Sequence, residues 1–193
     1  MKVIYLAAFK AYHPNYNITY QDINGQRDID GDMLETNLDG YDVVIATPPC
    51  NYYSRANYRR ETSEYSQKTK HLLPSILHKL VEIDKPFIVE NVRNPKLFNN
   101  AGLDNLPVFK YIHGRHTYWT NVMFDPSNIK QHNEYKLKTC IKLEDGTWYK
   151  TGQTYIGVQN KASKNRQGGE NVHNVIEYWL DVVKELYFME DKE

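Results

Sequence analysis

Residues 41–54 read Tyr-Asp-Val-Val-Ile-Ala-Thr-Pro-Pro-Cys-Asn-Tyr-Tyr-Ser, YDVVIATPPCNYYS. The run Val43-Val44-Ile45-Ala46 is short, apolar and β-branched, which predicts a buried strand. Pro48-Pro49 ends it, because proline cannot donate to a sheet ladder. Cys50 therefore falls on a stiff loop just past a strand's carboxyl end. That is the edge where open α/β sheets bind ligands, and two prolines hold such a loop at small entropic cost. Taken alone, Pro-Cys is better explained by a turn with a partly buried cysteine. Two further stretches change the balance. In residues 85–93, KPFIVENVR, Phe87-Ile88-Val89 reads as a second short buried strand, and Glu90-Asn91 arrives at its end, facing the same edge as Cys50. In residues 114–121, GRHTYWTN, Arg115 introduces an aromatic, β-prone run. Singly, Glu90 is a solvated acid and Arg115 a surface charge. Together they suggest a chemistry.

With these residues in view, the chain resembles the DNA cytosine-5 methyltransferases, most closely their short, phage-type members. The resemblance rests on Pro48-Pro49-Cys50 followed by Ser54, on Glu90-Asn91-Val92, and on Arg115 at the first arginine of an Arg-x-Arg segment. Gly169-Glu170-Asn171-Val172, followed by a helical pattern, is similar to the family's last motif. Order and spacing agree from about Gly31 onward. The resemblance implies an α/β fold: a Rossmann-like class I methyltransferase sheet with flanking helices and a small basic β-hairpin insert. It implies that Cys50, Glu90 and Arg115 are catalytic and that the cofactor is S-adenosyl-L-methionine, held by Asp22, Asp32, Pro48 and Asn171. It also implies a substrate cytosine in DNA, flipped or single-stranded, met by Ser54, Arg55, Asn91 and Thr117. A role in protecting a phage genome from host restriction, in the host cytoplasm, would follow.

The length of 193 residues predicts one domain with a core that needs no disulfide or metal staple. The 24 basic and 24 acidic residues cancel, and a mean hydropathy of −0.71 predicts a soluble, cytoplasmic protein. No apolar run reaches membrane-spanning length, and the apolar part of the N-terminus is too short for a signal peptide. Cys50 and Cys140 are far apart and lack Cys-x-x-Cys spacing, so no metal site is expected and free thiols are the default.

Residues 2–9 read as the first strand. The next six residues are Lys10-Ala11-Tyr12-His13-Pro14-Asn15, where a glycine-rich, nucleotide-binding turn is usual. The family's Phe-x-Gly-x-Gly-Gly motif has no counterpart in the first sixty residues. A second strand is expected over 17–23, ending at Asp22, where the wider fold places an acid on the cofactor ribose. Asp32, in Gly31-Asp32-Met33, is similar to the segment that contacts the adenine. Both are also ordinary positions for a loop aspartate. Residues 51–60 interleave Tyr52, Tyr53 and Tyr58 with Arg55, Arg59 and Arg60, which suits phosphate contact and base stacking or simply a solvated loop.

Apolar pairs at helical spacing predict an amphipathic helix over 66–83 that begins or kinks at Pro74, and a closing helix over 172–188. A strand is expected over 115–124, with 108–113 a weaker candidate. Within 125–167 basic residues outnumber acidic ones, 135–143 alternates, and Glu144-Asp145-Gly146 signals a hairpin. By resemblance this is a reduced target-recognition insert, too small for extended base readout.

The chemistry implied is addition of the Cys50 thiolate to C6 of cytosine, with Glu90 supplying a proton as charge builds at N3. Burial would keep that proton on Glu90, and Arg115 would orient the base or lower the thiol's pKa. Thr117 stands where the family's second arginine is expected. Two alternatives accompany this reading. One is a cofactor-impaired, methyltransferase-like protein that binds nucleic acid or a partner in counter-defence. The other is an enzyme that modifies C5 of a cytosine or free nucleotide with another one-carbon donor.

Overall fold

The computed structural model describes residues 1–8, 15–24, 27–129, 140–142, 148–150 and 166–189. Seven strands form one mixed sheet: β1 (Val3–Leu6), β2 (Ile18–Asp22), β3 (Ile29–Asp30), β4 (Val43–Ala46), β5 (Phe87–Val92), β6 (Phe109–His113) and β7 (His116–Thr120), in the order β3-β2-β1-β4-β5-β7-β6. The first five run parallel, and β7 lies antiparallel to both β5 and β6. The helices are α1 (Glu64–Thr69), α2 (Leu72–Val81), α3 (Pro95–Asn100) and α4 (Arg166–Tyr187). A separate pair, β8 (Cys140–Lys142) and β9 (Trp148–Lys150), is antiparallel. The expected α/β class is therefore observed.

The chain winds outward through β1, β2 and β3, then returns to β4 beside β1. This reversal opens a crevice at the carboxyl ends of β1 and β4. β1 and β4 are wholly buried along their length, as strands covered on both faces must be. One face carries Ile4, Leu6, Val44, Ala46 and Val89 against Leu73, Ile76, Leu77 and Leu80 of α2 and Phe98 of α3. The other carries Val3, Tyr5, Val43, Ile45, Ile88 and Tyr118 against Val175, Ile176, Trp179, Leu180 and Val183 of α4. At about 1.5–3 kcal/mol for each large apolar side chain taken from water, the α4 row is a main support of that face. Trp179 Nε1 donates to Thr120 Oγ1 at 3.0 Å, which fixes the helix against β7. At the β2 side, Asn15 Nδ2 donates to Glu177 at 3.0 Å and the Tyr16 hydroxyl bonds Asp181. The C-terminal helix thus covers the start of β2 as well.

Several sequence expectations shift. The helix expected over 66–83 is two helices, broken at Lys70 and His71 rather than at Pro74. Pro74 sits in the first turn of α2, where its missing N–H is one of those left unpaired anyway. α4 begins at Arg166, before the expected 172, because Gly168 and Gly169 are poor helix formers that mask its start in the sequence. Both 108–113 and 115–124 contain strands, β6 and β7, the latter ending at Thr120. Residues 9–14, most of the expected hairpin over 135–150, and the side chains of Gly169, Glu170 and Asn171 lie outside the described residues.

Ala7, at the carboxyl end of β1, has φ +48, a left-handed conformation that an L side chain adopts at a cost of about 1–2 kcal/mol. Three contacts hold it there. Its N–H donates to Gln21 Oε1 at 3.0 Å, Thr47 Oγ1 donates to its carbonyl at 2.9 Å, and the next N–H, of Ala8, donates to the Gln21 carbonyl at 3.0 Å. Buried Gln21 also bonds the Gly31 carbonyl through Nε2, tying β1 to the turn after β3. Ala7→Gly relieves the strain and adds freedom to the unfolded chain. The expected net result is a gain of up to about 1 kcal/mol in urea denaturation; a loss of stability would show that the Ala7 conformation is unstrained.

Candidate active site

Cys50 stands on the loop that leaves β4, as its sequence suggests. Asn91, on β5, is buried, and its Nδ2 donates to the Pro48 carbonyl at 2.9 Å while its Oδ1 accepts from Val92 N. Buried Asn94 donates from Nδ2 to the Tyr53 carbonyl at 2.7 Å. The Tyr53 hydroxyl donates to the Lys70 carbonyl at 2.9 Å, and Ser54 N donates to the Cys50 carbonyl at 2.8 Å. An aromatic row runs from Tyr53 to Phe98, ring centroids 5.5 Å apart, and from Phe98 to Trp119 at 4.9 Å, edge to face. The Cys50 loop is therefore clamped at both ends, by β5 and by α3. Asn91→Ala leaves the buried Pro48 carbonyl without this donor, and the expected cost is about 1–3 kcal/mol in urea denaturation. A change near zero would remove Asn91 from the clamp.

The thiol itself is partly buried. Burial first, and the charge of Glu90 second, push its pKa up, against a backbone hydrogen bond that pulls it down. Arg115, expected to orient the base or lower the thiol's pKa, is not among these causes. Arg115 sits exposed on the turn between β6 and β7, its carbonyl accepting from Arg93 N at 2.6 Å.

Glu90 extends one residue past the end of β5's parallel pairing with β4, which stops at Ala46 and Val89. It is not a strand-end acid, however, because β7 continues the ladder with Glu90 opposite Tyr118. On this face the residue that reaches Glu90 is His116, with Nδ1 2.6 Å from Oε1. The two side chains are 15% and 12% exposed, histidine first. Tyr5, on β1, shares the neighbourhood. Burial holds its phenol well above the usual range, Thr47 acts in the opposite sense, and the Glu90 charge adds to the rise. Thr117, one residue beyond His116, faces the other way. It lies opposite Asn91, and its buried Oγ1 has no hydrogen-bond partner among the described residues.

The remaining expected residues are dispersed along the same edge. Asp22, half-buried at the end of β2, accepts from Ile23 N at 2.7 Å and Asn24 Nδ2 at 3.1 Å. Asp32 is exposed and accepts from Leu34 N at 2.8 Å. Pro48 is buried beneath the Cys50 loop, and Asn171 falls in α4 with its side chain outside the described residues. Of the three arginines, Arg60 is a staple, donating to the Ser54 carbonyl at 2.9 Å and the Asn57 carbonyl at 3.1 Å. Arg55 and Arg59 are exposed beside Tyr58, which is 84% exposed, and the Arg59 guanidinium lies 5.4 Å from the Tyr58 ring centroid. Among the described residues, no cluster of three or more acidic, histidine or cysteine side chains could hold a metal ion. No helix among them is long and apolar enough to cross a membrane.

His116 is the residue that sequence reasoning passed over. Its signal was present as a titratable side chain between Arg115 and Thr117, but only the strand register shows which of the three shares a face with Glu90. The arrangement as a whole places a thiol, a carboxylate and an imidazole at one carboxyl edge of a parallel sheet.

Comparison with known families gives one match. The family model of C-5 cytosine-specific DNA methylases matches residues 4–109, from β1 to the first residue of β6, and so includes Cys50 and Glu90. A search of curated proteins gives no match.

Proposed function

The chain belongs to the C-5 cytosine-specific DNA methylase family, and from that premise we propose that it is a DNA cytosine-5 methyltransferase of reduced size, acting through a Cys50 adduct. The observation that carries the reading is the convergence of Cys50 and Glu90, from separate strands, at the carboxyl edge of β4 and β5, close enough for the carboxylate charge to act on the thiol. Carbon 5 of cytosine is not nucleophilic as it stands. Addition of Cys50 Sγ to C6 turns the ring into an enamine, with negative charge gathering at N3. Glu90 supplies the proton that N3 then needs. Because the target carbon is closed off in a stacked duplex, the base is flipped out or already single-stranded. Exposed Tyr58 with Arg55 and Arg59 offers a stacking face and two cations beside the Cys50 loop. The sheet order supports a Rossmann-like class I methyltransferase fold in a single domain, with residues 125–167, including the β8–β9 pair, as its small basic target-recognition insert.

S-adenosylmethionine, the family's general cofactor, supplies an electrophilic methyl group when bound. The donor set of the described residues fits its nucleoside end. Asp22 and Asp32 lie on the same edge as Cys50, and each carboxylate keeps acceptor capacity beyond the bonds it makes, suited to ribose hydroxyls and to the adenine amino group. A second reading, a nucleic-acid-binding protein that no longer methylates, takes support from one observation. The first two N–H groups after β1, of Ala7 and Ala8, are both taken by Gln21 rather than left for a ligand.

Titration calorimetry with S-adenosylmethionine and S-adenosylhomocysteine, with and without a cytosine-containing oligonucleotide, separates the two. It is paired with nucleoside mass spectrometry for 5-methylcytosine after incubation. Binding together with 5-methylcytosine is the expected result. Absence of both, on single- and double-stranded DNA alike, would overturn the methyltransferase reading in favour of the second.

A further inference from the structure

Glu90 has a partner that the reaction above leaves without a role. His116 Nδ1 meets Glu90 Oε1 at 2.6 Å, and the pairing is a consequence of register. Glu90 is opposite Tyr118, so His116, two residues earlier on β7, is its diagonal neighbour on the same face. Resting on the methyltransferase reading, we propose that His116 is a positioning residue: as an imidazolium it holds Glu90 Oε1, leaving Oε2 to carry the Cys50 proton to N3 of the target cytosine.

The proton balance favours this arrangement. Cys50 is pushed toward its thiol form, by burial and by the Glu90 charge, so the S–H bond must break as the Sγ–C6 bond forms. Addition displaces the C5–C6 π pair through the ring toward N3, which gains one proton. The proton released at Sγ is thus equal in number to the one required at N3. The Glu90 carboxylate, whose charge already acts on the thiol, takes the first and gives the second, and no proton need come from solvent. Were both oxygens loose, the carboxylate would have to find its orientation in each turnover. A charge-assisted bond at Oε1 fixes the plane of the group in advance.

Among the described residues, these groups stand around the pair. From β1 comes the Tyr5 phenol, from the loop after β4 the Cys50 thiol, and from β7 itself Tyr118. From β6 comes buried His113, directly opposite His116. α4 packs on this side of the sheet through Val172, Val175 and Ile176, with the half-buried His173 on the same turn. Among the described residues, Glu90 is thus the acid that His116 meets. An opposite charge in contact favours the charged form of a histidine. The imidazolium is then present below the histidine's titration midpoint and lost as pH rises through it.

The test has two readouts. In NMR titrations of the wild type and of E90Q, with the His116 resonance identified by its loss in H116N, His116 is expected to titrate above the ordinary histidine range and to fall back in E90Q. Titration in the ordinary range, unmoved by E90Q, would overturn the proposal, and this readout needs no turnover. In kinetics, wild-type methyl transfer is expected to fall as pH rises through that midpoint. H116A should lose at least about tenfold in kcat with KM little changed. H116N, which keeps a donor near the Nδ1 position, should recover much of the rate and lose the pH limb. A limb that persists in H116N would overturn the proposal. Should the wild type transfer no methyl group at any pH, the methyltransferase reading fails, and the NMR titration still decides whether the pair exists as described.

Discussion

Cys50→Ser is expected to abolish methyl transfer, by at least about a thousandfold, while leaving the fold and its melting temperature nearly unchanged. The fold should survive because the bonds of this loop are made by backbone groups and by other side chains. Ser54 N donates to the Cys50 carbonyl, Asn91 to the Pro48 carbonyl and Asn94 to the Tyr53 carbonyl, and serine replaces the thiol with a slightly smaller group in a partly buried site. The rate should not survive because a hydroxyl is a far weaker acid than a thiol. The environment that already pushes the Cys50 thiol up would oppose an alkoxide more strongly. The measurement is 5-methylcytosine formed per unit time by matched amounts of the two proteins, with calorimetry showing that S-adenosylmethionine affinity is unchanged. Full activity in the serine variant would remove Cys50 from the reaction.

Glu90→Gln produces two effects of opposite sign, which makes it the more discriminating change. Methyl transfer should fall by about 10²–10⁴-fold, because the amide cannot shuttle a proton to N3. Alkylation of Cys50 by iodoacetamide at mildly alkaline pH should become faster. The Glu90 charge is one of the two causes that raise the thiol, and glutamine removes it, so the thiol titrates lower and more thiolate is present at a given pH. The alkylation rate at Cys50 is followed by mass spectrometry of the modified peptide over a pH series. A variant that is slower in both reactions would point to a displaced loop. A variant unchanged in both would place Glu90 outside the site. Substitution also changes the contact with His116, so the melting temperature of each preparation is measured alongside.

Much of the sheet was legible residue by residue. Val43–Ala46 is a strand because four apolar, mostly β-branched residues are followed by two prolines, and the observed strand ends at Ala46. The paired apolar positions Val175-Ile176, Trp179-Leu180 and Val183 predict a helix with one buried face, and that face is the one packed on the sheet. Pro74 was misleading because a helix-breaking residue is harmless in a first turn, and the sequence does not say where the first turn lies. Gly168 and Gly169 misled in the other direction, concealing the early turns of α4.

The sequence by itself determined that a thiol and a carboxylate would stand at one edge of the parallel strands, because strands of this kind are local, apolar events: Cys50 follows β4 on a proline-bounded loop, and Glu90 comes directly after the apolar Phe87-Ile88-Val89 that pairs with it. Tertiary structure alone decided which side chains meet there. Strand pairing joins residues 88–92 to residues 116–120, and the side-chain period of two means that a shift of one residue exchanges the faces. Parity brings His116 to Glu90, leaves Arg115 on the exposed turn, and turns Thr117 toward Asn91. The same long-range packing commits Asn91 to clamping the Cys50 loop and raises the Cys50 thiol through burial and the Glu90 charge. These are properties of neighbours brought together by the sheet, and no local pattern in the chain encodes them.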